Sequence, residues 1–284
     1  MTKESPTRMD LTLRNSRIKL PLGQIFWREV GQGPVLVFLH GSWNEGSQWL
    51  PVIEKLSQYY HCFVPDLLGF GESEKPKVHY SIELEVECLF HYLEALHLPQ
   101  VYLIGHSLGG WIAASYALKH SEQVWGLILL APDGVQAEGQ GESWQWARWV
   151  VARPPIAYSI VRSLLPLARL FGWHKGIEQA IKQRQELIKS PTACKLLFQR
   201  RRTEIQAELV QERLHELRVP ILILQGKKDN PHAIASSQTY AHNTPKAHLQ
   251  LIDQGDSNLP EALPGLVARQ IDDFVRNLNA KGFY

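Results

Sequence analysis

The stretch Gly105-His106-Ser107-Leu108-Gly109-Gly110 constrains this chain more than any other. An apolar run at 101–104 leads into it, and a helix-compatible run at 110–117 leaves it. A serine between glycines two positions to either side, at the joint of a strand and a helix, is a nucleophile elbow. The turn is too tight for a Cβ at the flanking positions. The serine itself is held in a strained conformation, with its hydroxyl lifted off the sheet edge.

The surrounding pattern agrees with that joint. Apolar runs alternate with segments of helical periodicity, the signature of a largely parallel sheet with helices on both faces. Residues 17–20 and 24–30, divided by Pro21-Leu22-Gly23, read as an antiparallel pair. Further strands are expected at 35–39, 62–65, 101–104, 127–130, 221–225 and 249–252, and helices at 49–60, 82–98 and 263–278. Between 133 and 214 the strand signal disappears, and the helical text is broken by Arg153-Pro154-Pro155, Pro166, Gly172 and Pro191. A helical insertion between two strands should fold over the strand ends as a lid. The expected organisation is a core of residues 1–134 and 214–284 with a helical cap at 135–213.

Composition narrows the class. With 284 residues, 44% hydrophobic and 20% charged, the chain has room for one large α/β domain with an insertion. No apolar run approaches the roughly 20 residues that span a bilayer, and the first twenty residues hold no apolar core of a signal peptide. Cys62, Cys88 and Cys194 lie apart, without the spacing of a disulfide framework. A cytoplasmic location is the economical expectation. Histidines lack ligand spacing such as H-E-x-x-H, and no phosphate loop is visible, so neither metal nor cofactor is expected. Charge is uneven: residues 148–202 carry twelve Arg or Lys against Glu178 and Glu186, a local +10 within a chain of net +2.

Four motifs in order complete the reading. They are His40-Gly41 after the third strand, Pro65-Asp66-Leu67-Leu68-Gly69-Phe70-Gly71-Glu72-Ser73 after the fourth, the elbow at Ser107, and Gly226-Lys227-Lys228-Asp229 after the 221–225 strand. Together they resemble the α/β-hydrolase superfamily, in its single-domain form with a helical cap after the sixth strand, over roughly residues 20–280. The resemblance implies the α/β-hydrolase fold, a mostly parallel sheet of about eight strands flanked by helices.

It also implies roles. Ser107 would attack as nucleophile once a base takes its proton. The backbone N–H of Leu108, at a helix N-terminus, would hold the oxyanion. The second donor would come from the His40 loop, the N–H of Ser42 or its neighbour Trp43. Asp229 stands where the family keeps its acid, which orients an imidazole. It also fits a plain turn before Asn230-Pro231, and Asp133 is a second candidate acid. Asp66 and Ser73 read as turn-stabilising, and His40 and His106 as packing residues.

The base breaks the pattern. The family places its histidine just after the last strand, and here Asp256 fills that slot, 27 residues past Asp229. A carboxylate is a weak base, with a reference pKa near 4. A second carboxylate nearby resists joint ionisation and raises one of the two. His232 is the best reserve base, with His242 and His248 behind it. A natural replacement at 256 and an introduced, inactivating one read alike.

The cap segment is rich in Trp144, Trp146, Trp149, Tyr158, Phe171 and Trp173, interleaved with Arg148, Arg153, Arg162, Arg169 and Lys175. Burial against the sheet explains much of the apolar content, and a pocket roof over an apolar ligand explains the rest. The cation spacing also fits peripheral contact with an anionic membrane. Lys195 and Arg200-Arg201-Arg202 accompany no nucleic-acid fold, and no nucleic acid is expected. Two functions follow: a serine hydrolase of a hydrophobic ester with an impaired or unusual base, or a non-catalytic relative that binds an apolar ligand or partner under its lid. A lyase or acyl-transfer chemistry in the same pocket is a third.

Overall fold

The computed structural model describes residues 12–136 and 187–280, together with Ser163 and Gln185. The cap aromatics from Trp144 to Trp173 and the cations Arg148 to Lys175 therefore lie outside the described residues.

Eight strands form one sheet: β1 (Arg14–Leu20), β2 (Gly23–Val30), β3 (Val35–Leu39), β4 (His61–Pro65), β5 (Val101–His106), β6 (Val124–Leu130), β7 (Ile221–Gly226) and β8 (Ala247–Ile252). Their order across the sheet is β1-β2-β4-β3-β5-β6-β7-β8. The pairs β1–β2 and β2–β4 are antiparallel and every other pair is parallel. Central parallel strands are covered on both faces, so their residues are apolar in both phases of the alternation. Leu36, Phe38, Tyr102, Ile104, Ile128 and Leu130 belong to one core layer. Val37, Leu39, Val101, Leu103, Leu127 and Leu129 belong to the other.

Helices close both layers. On the first face α1 (Leu50–Leu56) packs with a long C-terminal helix (Pro264–Ala280) through Val52, Ile53, Val267, Ile271 and Val275. On the second face lie α2 (Ile82–Ala95) and α3 (Leu108–Lys119), through Val86, Leu89, Leu93, Trp111, Ile112 and Tyr116. Each such aliphatic residue removed from water contributes about 1.5–3 kcal/mol. Ser81 caps α2 by accepting from the Leu84 N–H at 3.0 Å. That helix stops short of the expected residue 98. His97 takes φ +54°, and the N–H groups of His97 and Leu98 bond back to the carbonyls of Glu94 and Leu93, a left-handed stop made without glycine.

Residues 191–208, between β6 and β7, pack on the core. Here α4 (Pro191–Phe198) and α5 (Arg202–Glu208) bury Ala193, Leu196, Leu197 and Ile205 in the α2–α3 layer. Thr192 Oγ1 donates to the Gly69 carbonyl at 2.8 Å, and Trp111 Nε1 donates to the Glu208 carbonyl at 3.0 Å. This stretch is thus tied to the loop after β4 and to the helix that follows Ser107. The cationic run is not all solvated surface: Arg200 is buried and paired with Glu208 and Glu204, and Lys195 lies over the Tyr80 ring at 5.3 Å. A further helix, α6 (Pro231–Asn243), begins beyond β7 with Asn230 as its cap, bonded to the Ala233 N–H at 2.8 Å. The short α7 (Leu259–Ala262) leads into the C-terminal helix, α8.

Candidate active site

β5 ends at His106 and α3 begins at Leu108, so Ser107 alone makes the turn between them. It does so at φ +51° and ψ −113°, a left-handed region that a serine enters only under constraint. The constraint is steric. A Cβ at Gly105 would lie 2.3 Å from the Gly109 carbonyl oxygen, and one at Gly109 would lie 2.3 Å from that of Leu39. The N–H of Ser107 bonds to the Leu130 carbonyl at 3.0 Å, which ties the elbow to the end of β6. Leu108 is the first residue of the helix, so its N–H has no acceptor within α3.

The loop after β3 approaches the elbow from the other side. At Gly41 a Cβ would come within 3.5 Å of the Ser107 Cβ and 3.0 Å of His106 Nδ1. Asn44 N–H bonds to the Gly41 carbonyl at 3.2 Å and closes a β-turn whose central residues are Ser42 and Trp43. The N–H groups of central turn residues are not used by the turn, as an oxyanion donor requires. Ser42 is buried. Trp43 is exposed and stacks on Phe198 of α4, ring centroids 6.2 Å apart.

The group seated on the Ser107 hydroxyl is Asp133. Ser107 Oγ donates to Asp133 Oδ2 at 2.7 Å, and the Asp133 N–H donates to the Ser107 carbonyl at 3.1 Å. The local chain is bent to make this fit, with Ala131 at φ +44° and Gly134 at φ +98°. A Cβ at Gly134 would strike the Trp111 indole at 2.4 Å. Tyr240, wholly buried in α6, donates its hydroxyl to the Asp133 carbonyl at 2.7 Å. Burial raises the Asp133 pKa, and the charge of Asp229 raises it further, while the Ser107 hydrogen bond draws it partly back.

Asp256, which fills the family's histidine slot, is placed otherwise. It is exposed, and its Oδ1 accepts from the Asn258 N–H at 2.9 Å, a local Asx-type turn. The expectation that Asp256 replaces the base at the hydroxyl is therefore corrected: the carboxylate there comes from the end of β6. Asp229 is engaged as well. Its Oδ2 accepts from Gln225 Nε2 at 3.1 Å and its Oδ1 from the Asn230 N–H at 2.7 Å. Its charge acts on Asp133 and on His106, the two titratable groups beside the serine.

No histidine among the described residues is bonded to the Ser107 hydroxyl. His242 and His248 are exposed, and His232 is partly so. His106 is buried beside the serine but turned away. Its Nε2 donates to the Ser257 carbonyl at 2.8 Å, and its Nδ1 accepts from Gln48 Nε2 at 3.2 Å. Burial lowers its pKa, so it stays neutral and clips the loop after β8 to the elbow. His40 is neutral too, held by burial at about 4. Its Nδ1 donates to the Gly41 carbonyl and its Nε2 accepts from the Leu67 N–H, at 2.9 and 3.0 Å, joining the loops after β3 and β4. Asp66 is structural: it accepts from Arg28, Gly46 N–H and Glu72 N–H, and its carbonyl accepts from Ser73.

A serine at positive φ between a strand end and a helix start, beside the loop after β3, is the geometry at the centre of this fold. The family model described as "alpha/beta hydrolase fold" matches residues 34–262, and the chain belongs to that family. An uncharacterised protein of Mycobacterium tuberculosis is 36% identical over 109 residues, 38% of this chain and 32% of that protein. The 2-hydroxy-6-oxo-2,4-heptadienoate hydrolase of Pseudomonas putida is 34% identical over 114 residues, 39% of this chain and 41% of that one. The matched region thus spans about a third to two fifths of these curated relatives' length. Among solved structures, a bacterial membrane phospholipase A superposes with a TM-score of 0.72 at 20% identity, covering 94% of this chain and 87% of that one. This last likeness concerns the fold.

Proposed function

We propose that the chain is a slow serine hydrolase that cleaves a hydrophobic ester through an acyl-enzyme on Ser107, with Asp133 as the proton acceptor. The 2.7 Å hydrogen bond from Ser107 Oγ to Asp133 Oδ2 carries this reading. A carboxylate raised toward neutrality is a better base than a free one, yet weaker than an imidazole poised near the working pH. Ser107 Oγ attacks the ester carbonyl carbon, and its proton passes to Asp133. The carbonyl oxygen becomes the oxyanion, facing the N–H groups of Leu108 and of Ser42 or Trp43. Collapse breaks the bond to the alcohol oxygen, which takes the proton back from Asp133. Water then repeats the sequence on the acyl-enzyme. The apolar roof expected from the cap and the exposed Trp43 beside Phe198 support an apolar acyl or alcohol group. Relatives named 2-hydroxymuconate semialdehyde hydrolase and haloalkane dehalogenase support hydrolysis in the broad sense.

The exposed, inward-idle Asp256 favours a second reading, in which the elbow is retained by the fold and the chain binds an apolar ligand or a partner. Turnover of short and long p-nitrophenyl esters by wild type, Ser107→Ala and Asp256→His separates the two. Slow wild-type turnover that Ser107→Ala abolishes supports the hydrolase. Turnover that emerges only in Asp256→His supports the binding protein. The basic stretch at 148–202 supports peripheral contact with an anionic membrane, tested by liposome sedimentation at two salt concentrations. Binding indifferent to salt would discard that part of the reading.

A further inference from the structure

We infer that the cavity between the loops after β3 and β4 binds a zwitterionic small molecule, with its anion at Lys75 and Lys189 and its cation at Glu45 and Glu261 beside the Trp43 ring. The cavity holds about 530 Å³, within the roughly 300–1,000 Å³ of small-molecule sites. Ser107, Leu108 and Asp133 are not part of its wall. It adjoins the elbow through Gln48, which lines it and donates from Nε2 to His106 Nδ1 at 3.2 Å. The site is therefore separate from the reacting centre, and the inference stands whether or not Ser107 turns over an ester.

Four separate stretches of chain bring charge to this one space. Glu45 comes from the loop after β3, Lys75 from the loop after β4, Lys189 from the residues ahead of α4 and Glu261 from α7. Lys75 makes no ion pair or hydrogen bond among the described residues. The carboxylates are held by neutral donors: Glu45 Oε1 accepts from Ser47 Oγ at 3.0 Å, and Glu261 Oε2 accepts from Asn258 Nδ2 at 2.8 Å. Opposite charges that line one cavity without touching leave their fields to whatever the cavity contains. A lone anion gains at the lysines and is repelled by the glutamates, and a lone cation meets the reverse. A molecule that carries both charges satisfies both sets at once. Trp43, 45% exposed and stacked on Phe198, adds an aromatic surface for the cation. Two sources offer this chemistry, a phosphocholine headgroup and a peptide with free ends. The quaternary ammonium of the first suits the Trp43 ring, and the primary ammonium of the second suits the carboxylates.

Isothermal titration calorimetry on the full chain tests this with phosphocholine and glycylglycine, against choline chloride and inorganic phosphate, in wild type, Lys75→Met and Glu45→Gln. Thermal melting accompanies each variant. In wild type at least one zwitterion is expected to bind about tenfold or more tightly than choline or phosphate. Each variant is expected to lose about tenfold in affinity for that zwitterion. Tm should not change, because Lys75 is exposed and Glu45 partly so. Preference for phosphocholine assigns the headgroup source, and preference for glycylglycine the peptide source. Zwitterions that bind no more tightly than the singly charged probes would overturn the inference. So would an affinity that both variants leave unchanged, or a loss that tracks a fall in Tm. Labelling of Ser107 by a fluorophosphonate is read in parallel, and its absence bears on the hydrolase reading alone.

Discussion

Glu85 makes a measurable demand on the fold. It sits on α2, 1% exposed, with Oε2 accepting from the Leu68 N–H at 3.2 Å and Oε1 without a partner among the described residues. Burial raises its pKa from the ordinary 4.5 to about 8. Between those values the folded chain holds a proton that the unfolded chain has released, so stability falls as pH rises through the window. At about 1.4 kcal/mol per pKa unit, the loss accumulated by pH 9 is on the order of 4–5 kcal/mol relative to pH 4. Glu85→Gln keeps the acceptor for Leu68 and removes the titration. Equilibrium urea unfolding of both proteins from pH 5 to pH 9 isolates the effect, because every other group is shared. The variant is expected to be no more stable than wild type at pH 5 and more stable by several kcal/mol at pH 9. A difference that stays constant across that range would refute the reasoning.

Other outcomes follow from single contacts. Tyr240→Phe removes the donor to the Asp133 carbonyl; a stability loss of about 1–2 kcal/mol in urea unfolding, with a fall in kcat at unchanged KM, is expected. Gly109→Ala forces a Cβ to 2.3 Å from the Leu39 carbonyl, and a loss of at least about 3 kcal/mol should appear in the same assay. Gly265→Ala, on an exposed turn of α8 where the nearest atom is 3.8 Å away, should instead gain about 0.5–1 kcal/mol; a loss there would contradict the packing described.

The sheet was readable because buried parallel strands must be apolar in both phases. Runs such as Val101–His106 and Ile221–Gly226 announce themselves, whereas their order across the sheet comes only from the folded chain. Helix ends were less readable: the stop after Ala95 depends on His97 adopting a left-handed conformation, for which histidine carries only a weak preference. At the site, Ser107 was legible from its glycines. The pairing with Asp133 was only partly so, because it depends on register. His106 lies opposite Leu130 across the β5–β6 pair, so the residues just beyond those two strand ends meet. A reading that follows the family's loop positions looks instead to Asp229 and Asp256, whose oxygens are taken by Gln225, Asn230 and Asn258. Gln48 and Tyr240, which hold His106 and the Asp133 carbonyl, carry no motif; only the folded chain brings them to the elbow.

The claim that Asp133 activates Ser107 is tested most directly by the pH dependence of fluorophosphonate labelling in wild type and Asp133→Asn, with Ser107→Ala as the unlabelled control. The base acts deprotonated, so wild-type labelling should rise with pH through the raised Asp133 titration and then level. In Asp133→Asn the rate should drop by about 100-fold or more and lose that rise. Equal labelling of wild type and Asp133→Asn, with the same pH profile, would contradict the account.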